Sequence, residues 1–361
     1  MTTPKKIVDS CRRLVASEAG SDVLSFIQRY SLKDDNDLCI LLDTTSSLNL
    51  KSLQNFHGLF DGALNSVINM RKLNDVKFIN KFLENSNQVL AVGGFFIGNI
   101  ETLETREERV LRKLFWPLNR IYYYADFLIK RVFPKFRITK KLYFFLSRGL
   151  NRVISETEIY GRLYSCGFEI VDSKSLNGKL WFVGRKVGQP DFNTEASYGL
   201  LIKLKRHGRN NELINVYKLR TMYPFSEYLQ AYVMDKYGLQ KGGKFKDDPR
   251  VTGAGRIFRK FWLDELPMFM NVLKGEIKIV GVRPLSSNYL SLYPEHLKEM
   301  RAKVKPGLIP PFYADLPETL EEIAASEEAY ILSYLNKPLM TDLNYFWKAI
   351  YNIIVKRARS N

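Results

Sequence analysis

The stretch that most constrains this chain covers residues 246–286, KDDPRVTGAGRIFRKFWLDELPMFMNVLKGEIKIVGVRPLS. Its centre is an adjacent carboxylate pair, Asp264 and Glu265. Arg250, Arg256, Arg259 and Lys260 precede the pair and Arg283 follows it. Pro267 suits a first helical position, where its missing N–H costs nothing. Residues 268–273 then read as helix, and Gly275 stands where a helix-ending glycine belongs. The carboxylates are therefore expected just before a helix N-terminus. Free N–H groups and a partial positive charge at that end keep a carboxylate ionised and also attract phosphate. The β-branched run 277–282 predicts a buried strand that delivers Arg283-Pro284 beside the same site.

Capping alone accounts for most such carboxylate pairs, but the string around this one carries more. It resembles the signature of the bacterial sugar transferases that act as monotopic polyprenyl-phosphate phosphoglycosyl transferases. The matching residues are Asp248, Arg250, Thr252, Gly255 and Arg259, then Asp264-Glu265-Leu266-Pro267, Asn271-Val272-Leu273 and Gly275. Gly281-Val282-Arg283-Pro284 completes the string, with Val282 where the family carries a first proline. Lys218, Arg220, Thr221 and Met222 match the end of a family hairpin, and Lys305-Pro306-Gly307 match a family turn. The resemblance covers roughly residues 197–350. After the turn the chain reads Leu308-Ile309-Pro310-Pro311-Phe312-Tyr313, where the family has I-T-G and a glycine-containing loop. That change falls beside the expected sugar pocket.

The resemblance implies an α+β catalytic domain. It would move a sugar-1-phosphate from a nucleotide diphosphate sugar, with UDP the expected nucleotide, to a polyprenyl phosphate, initiating polysaccharide or glycan assembly. It assigns Asp264 as the nucleophile that forms an aspartyl phosphosugar. Glu265, with Asp264 beside it, is assigned to Mg²⁺, a hard cation that prefers oxygen. Adjacent helical residues point about 100° apart, so the two carboxylates are expected to serve different atoms. Arg283 is the candidate for the nucleotide phosphate, because a guanidinium fork matches phosphate oxygens. Lys218, Arg220, Arg250 and Pro284 complete the expected substrate wall. The alternative is a non-catalytic or regulatory relative within a glycan assembly complex; the intact carboxylate pair argues against it.

The net charge of +17 calls for an anionic partner. Three cysteines and three histidines are too few and too scattered for a disulfide framework or a His/Cys metal centre, and point to a reducing cytoplasm. No apolar run approaches the roughly 18 residues of a spanning helix. The family's usual hydrophobic re-entrant helix precedes its catalytic domain; residues 187–197 at that place are polar. Residues 109–152 supply twelve cations against one acid, Asp126, interleaved with aromatics such as Phe115, Trp116, Tyr124 and Phe145. Basic aromatic helices lie in the headgroup plane of anionic membranes; the alternative is a helical hairpin packing its aromatics on the core. The expected location is peripheral, on the cytoplasmic face of a bacterial inner membrane, with no nucleic-acid partner. The C-terminal cations Lys356, Arg357 and Arg359 are expected to help.

A length of 361 residues suits two domains. Residues 1–36 read as helical and 38–42 as a strand. Phe60-Asp61 opens a second unit, followed by helical spacing through Val76, Ile79 and Phe82. Residues 88–97 read as an apolar strand. Gly161-Arg162-Leu163 leads a short helix, a strand starts at Cys166, and residues 179–185 form its hairpin partner. This order is similar to the C-terminal half of a class I methyltransferase-like α/β fold, here a degenerate Rossmann-like domain. Residues 1–60 lack the strand and G-x-G that would hold a methyl donor. Residues 1–186 are therefore expected to be a cofactor-free relic or docking domain, with 109–152 as a helical insertion. Residues 187–196 read as a linker and 197–361 as the catalytic domain, opening with a hairpin of strands at 200–205 and 213–217. A methyltransferase with an appended domain is disfavoured by the same missing loop.

Overall fold

The structure is a computed structural model that describes residues 4–33, 38–55, 64–192, 198–237 and 248–356. Phe60, Asp61, Arg357, Arg359 and residues 193–197 and 238–247 lie outside the described residues. The chain divides into two compact units, Met1–Tyr198 with Tyr223–Ala231, and Gly199–Met222 with Tyr232–Asn361.

The first unit is α/β. Its strands are β1 (Cys39–Leu42), β2 (Leu64–Asn69), β3 (Leu90–Ile100), β4 (Phe168–Leu176) and β5 (Lys179–Lys186), in the order β1-β2-β3-β5-β4. The first three are parallel, and β5 lies antiparallel between β3 and β4. Parallel neighbours need crossovers; the helices Ser47–Asn55 and Ile79–Val89 supply them. Both sheet faces are covered, because successive strand residues point to opposite sides. Phe182 joins Phe82, Phe96 and Phe168 on one face. Trp181 and Val183 pack with Val15, Val23 and Phe26 of the N-terminal helices on the other. Asn177-Gly178 turns β4 into β5 with both φ angles positive, as a two-residue hairpin turn requires.

Some boundaries differ from the sequence reading. The strand expected from 88 starts at Leu90, because Gln88 and Val89 close the preceding helix. Gly161-Arg162-Leu163 lies within the helix Glu156–Ser165 rather than leading it; Ser155 caps that helix by accepting from the Glu158 N–H at 3.1 Å. Gly161 is there for space, since a Cβ would meet the Phe225 carbonyl oxygen at 2.4 Å. Residues 109–152 form separate short helices, Leu118–Phe127 and Arg137–Ser147 among them. Phe115, Trp116, Tyr124 and Phe145 are exposed rather than packed as a core hairpin would pack them.

The second unit is α+β. β6 (Leu201–His207) and β7 (Leu213–Leu219) form the expected antiparallel hairpin, while β8 (Lys278–Val280) and β9 (Gly307–Ile309) pair in parallel. β8 is shorter than the 277–282 run suggested. Its partner crosses so closely that a Cβ on Gly307 would lie 2.1 Å from the Gly281 nitrogen, and the pairing gives way to loop. The helices Glu295–Ala302, Leu320–Asn336 and Pro338–Ile354 close over β8. Tyr293, Leu297, Tyr330 and Ile331 pack there on Val280 and Val282. Lys278 fastens the last helix by donating to both Asp342 oxygens at 2.9 Å.

Candidate active site

The carboxylate pair sits inside a helical turn, not ahead of one. Trp262 takes a left-handed conformation (φ 55°) that ends the helix Gly253–Lys260 and redirects the chain. A 3₁₀ turn, Leu263–Met268, then runs into the helix Phe269–Leu273. Asp264 and Glu265 occupy the first turn, and Pro267 is accommodated within it. Gly275 has the positive φ (72°) expected of a helix-ending glycine.

One buried side chain holds this turn against the hairpin. Asn271, fully buried, donates to the Asn215 carbonyl at 2.7 Å and to Glu276 at 2.5 Å, and accepts from the Tyr217 N–H at 3.0 Å. All its amide groups are thereby satisfied, so the turn stays in register with β7. Val216, Met268 and Ile277 form the apolar contact beneath. On the other side Thr252 caps its helix at Gly255, whose Cβ would lie 2.0 Å from the Thr221 carbonyl oxygen. Only glycine allows that approach, and it brings Arg259 Nε within 3.0 Å of Thr221 Oγ1.

The result is a cleft lined by Lys218, Glu265, Arg206, Arg283, Pro284 and the ring-bearing pair Phe312 and Tyr313. Lys218 donates to Glu265 at 2.7 Å. At ≈ 70 Å³ the cleft is far smaller than the roughly 300–1,000 Å³ of a ligand pocket, so it can take only part of a nucleotide sugar. Burial and the charge of Glu265 push the Asp264 carboxyl above its ordinary value, against the pull of Lys218 and Arg259. Burial and the neighbouring Arg283 charge push Arg206 down from the usual guanidinium value.

Of the expected substrate residues, the structure brings Lys218, Arg283 and Pro284 to the cleft with Glu265. Arg220 donates to the Gly199 carbonyl at 3.0 Å, and Arg250 is buried against both Asp248 oxygens, at 2.9 and 2.8 Å. Neither lines the cleft.

Three features escaped the sequence. Arg206 joins the wall from β6, a position with no motif around it. Arg301, buried, donates to the carbonyl oxygen of Arg283 and pairs with buried Glu327, so it fixes the backbone that carries the phosphate candidate. Trp262 packs edge-on against Tyr313, ring centroids 5.2 Å apart. Among the described residues no group of three or more His, Cys, Asp or Glu is placed to hold a metal ion. Of the carboxylate pair, Glu265 lines the cleft and Asp264 is its neighbour in the turn. A single carboxylate fits Mg²⁺, which binds through one or two carboxylates and takes its remaining ligands from phosphate and water.

Residues 192–356 match the model of the bacterial sugar transferase family. An uncharacterized sugar transferase EpsL of Bacillus subtilis is 37% identical over 123 residues, 34% of this chain and 50% of the relative. An undecaprenyl-phosphate galactose phosphotransferase of Salmonella typhimurium is 37% identical over 134 residues, 36% of this chain and 26% of its own. The chain thus spans half the length of the first relative and about a quarter of the second. A solved structure described as a SAM-dependent methyltransferase, possible histamine N-methyltransferase, from Thermotoga maritima is 17% identical. It covers 36% of this chain and 58% of its own, with a TM-score of 0.22. At that score it carries no argument about the first half.

Proposed function

From the match of residues 192–356 to the bacterial sugar transferase family, we propose that this protein transfers a sugar-1-phosphate from a UDP-sugar to a polyprenyl phosphate through an aspartyl phosphosugar. The observation that carries the reading is the first-turn pair Asp264-Glu265, set beside the cationic cleft of Lys218, Arg206 and Arg283. A relative named an undecaprenyl-phosphate phosphotransferase supports the lipid acceptor.

In the first half-reaction an Asp264 oxygen attacks the sugar-bearing phosphorus. The bond from that phosphorus to the bridging oxygen breaks, and nucleoside monophosphate leaves with the electron pair. An acyl phosphate now joins Asp264 to the sugar-1-phosphate. In the second, an oxygen of polyprenyl phosphate attacks the same phosphorus and the Asp264 carboxylate is released. Arg283 holds the nucleotide phosphate bidentately, with Arg206 and Lys218 adding charge as it develops on the leaving oxygen. Mg²⁺, bound at Glu265 with Asp264 adjacent, would neutralise the diphosphate. Arg301 acts through the Arg283 backbone and is a positioning residue.

The acceptor is a lipid, so the site must reach a membrane surface. Ile257, Phe261, Leu266, Phe269, Met270 and Leu273 are exposed on the elements that bracket the pair, with Arg256, Lys260 and Lys274 among them. Apolar side chains interleaved with cations suit an anionic headgroup layer. The exposed rings of residues 109–152 extend the same chemistry to the first unit. Within that segment Arg131 is tied to Glu158 and Lys130 to Asp126, so Phe115, Trp116 and Phe145 are the better residues to replace. Among the described residues no helix is long and apolar enough to cross a membrane, and the reading is peripheral attachment at the cytoplasmic face.

The test is to incubate the protein with UDP-sugars labelled in the sugar-bearing phosphate, without acceptor. Label should stay on the protein at Asp264 and be chased off by polyprenyl phosphate. Release of label only as free sugar phosphate, or no uptake from any donor, would count for a non-catalytic relative.

A further inference from the structure

The first unit contains a cleft that the proposed transfer does not use. At ≈ 790 Å³ it lies within the roughly 300–1,000 Å³ typical of small-molecule sites. Its walls are the start of the helix Ile79–Val89, the helix Glu156–Ser165 and the segment that includes Arg137–Ser147. Nine cationic residues line it against two carboxylates, Glu84 and Glu158. Such an imbalance around a concave space calls for a bound anion.

The floor is built, not merely decorated. Arg131 and Arg162 are each 7% exposed and share Glu158, at 2.6 and 2.8 Å. Arg152 donates to the carbonyls of Val76 and Lys77. After those bonds, Arg131 Nη2, Arg152 Nε and Arg162 Nε remain buried without an acceptor among the described residues. Buried donors left unpaired are costly, and three in one floor need an explanation. Burial first, and then the charge of Arg162, push Arg152 down to about 10.

A second, independent feature points to the same ligand. The helix Ile79–Val89 opens on this cleft with no side-chain cap and no acid in its first turn. Its uncapped end presents N–H groups and the positive pole of its dipole, an arrangement that takes phosphate. Lys77 and Lys81 flank that end, and Lys140 and Lys141 stand at the opposite wall, all four exposed. Phe144, Pro134 and Ile154 give the cleft an apolar side.

We propose that this cleft binds a phosphate ester, its phosphate or diphosphate over the arginine floor and its organic body against Phe144, Pro134 and Ile154. A soluble nucleotide and a prenyl or other lipid phosphate share that chemistry. The proposal stands whether or not the second unit is a transferase.

The experiment uses the full chain carrying Arg283→Ala, which removes the phosphate candidate of the other unit. Inorganic pyrophosphate, UDP and farnesyl phosphate are titrated by calorimetry. Binding of UDP or farnesyl phosphate more tightly than pyrophosphate is expected, and the tighter of the two identifies the source. Lys77→Gln with Lys81→Gln, both exposed and therefore safe for the fold, should weaken that binding about tenfold. Arg152→Met should abolish it, with a thermal melt to check folding. No binding by any probe, equal affinity for all three, or undiminished affinity in the lysine double variant overturns the proposal.

Discussion

Two clusters of arginine and carboxylate, one in each unit, are built in opposite ways. In the first, Arg106 is 2% exposed and grips Asp126 at 2.6 and 3.0 Å and Glu101 at 2.9 Å, while Lys130 adds a bond to Asp126 at 2.8 Å. Every oxygen of Asp126 is taken. In the second, Lys218 and Glu265 are about a fifth exposed and meet through one bond, and the exposed Arg283 has its backbone carbonyl tied down by Arg301. The residue types are the same. Full burial makes charged groups satisfy one another, because an unpaired buried charge is too costly. Half-burial leaves lone pairs and donors for a substrate while still restricting their positions. The first arrangement fixes a fold, and the second is available for chemistry.

Changing one atom of the half-buried pair should have the largest effect. Asp264→Asn keeps the volume and polarity of the turn but removes the nucleophile. Turnover should fall about 10⁴-fold, with a melting temperature within about 2 °C of the parent. Near-normal turnover, measured as nucleoside monophosphate release, would dissolve the contrast, since Asp264 would then be one more structural carboxylate.

The closed network should respond in the reverse sense. Arg106→Met leaves Asp126 and Glu101 buried without their main partner and should cost about 3–5 kcal/mol of stability. Turnover per folded molecule should be unchanged. Burial acts to raise Asp126, but the Arg106 and Lys130 charges outweigh it and hold the carboxyl below its ordinary value. A lowered folded-state value means stability that is present above the unfolded value and lost as pH falls through the folded one. Denaturant midpoints should show this acid loss in the parent and less of it in Arg106→Met. Equal acid loss in both would mean that Asp126 is not the group responsible.

Much of this contrast was legible in the string around Asp264, because motif glycines and prolines have local causes. Gly275 needed a positive φ, and Gly255 and Gly281 needed close approach. The turn's true start was not legible. Pro267 reads as a first helical residue, yet a left-handed Trp262 lets the 3₁₀ turn begin at Leu263, and a proline near a helix start loses no bond there. Arg301 and Glu327 were invisible for another reason. They lie 18 and 44 positions from Arg283, and no local period relates such residues. Apolar runs located β1, β3 and the β4–β5 pair of the first unit to within a few residues; they could not foresee the unpaired arginine N–H groups of its cleft, which come from separate parts of the chain.

Arg283→Lys sharpens the comparison at smaller scale. It keeps the charge and removes the planar fork, so the apparent KM for the nucleotide sugar should rise about tenfold. Glu327→Gln should raise the same KM by acting through Arg301, despite never touching the substrate. A change confined to kcat in either variant would place Arg283 elsewhere than on the ground-state phosphate.

The smallest expected effect is one of sign. Asp264 ionises above its ordinary value of 3.8 because burial and Glu265 oppose its charge, while Lys218 and Arg259 favour it. Removing a like charge must therefore let Asp264 ionise at lower pH, and removing an opposite charge must delay it. Glu265→Gln should lower the Asp264 midpoint and Lys218→Met should raise it. Carboxyl ¹³C resonances of magnesium-free protein report this directly, without the losses in turnover that both variants are expected to show. The buried pairs of the first unit offer no such two-way tuning. If both variants moved the midpoint in one direction, the Lys218–Glu265 contact would be setting the shape of the turn rather than the charge on Asp264. The half-buried pair would then have to be grouped with the closed networks of the first unit.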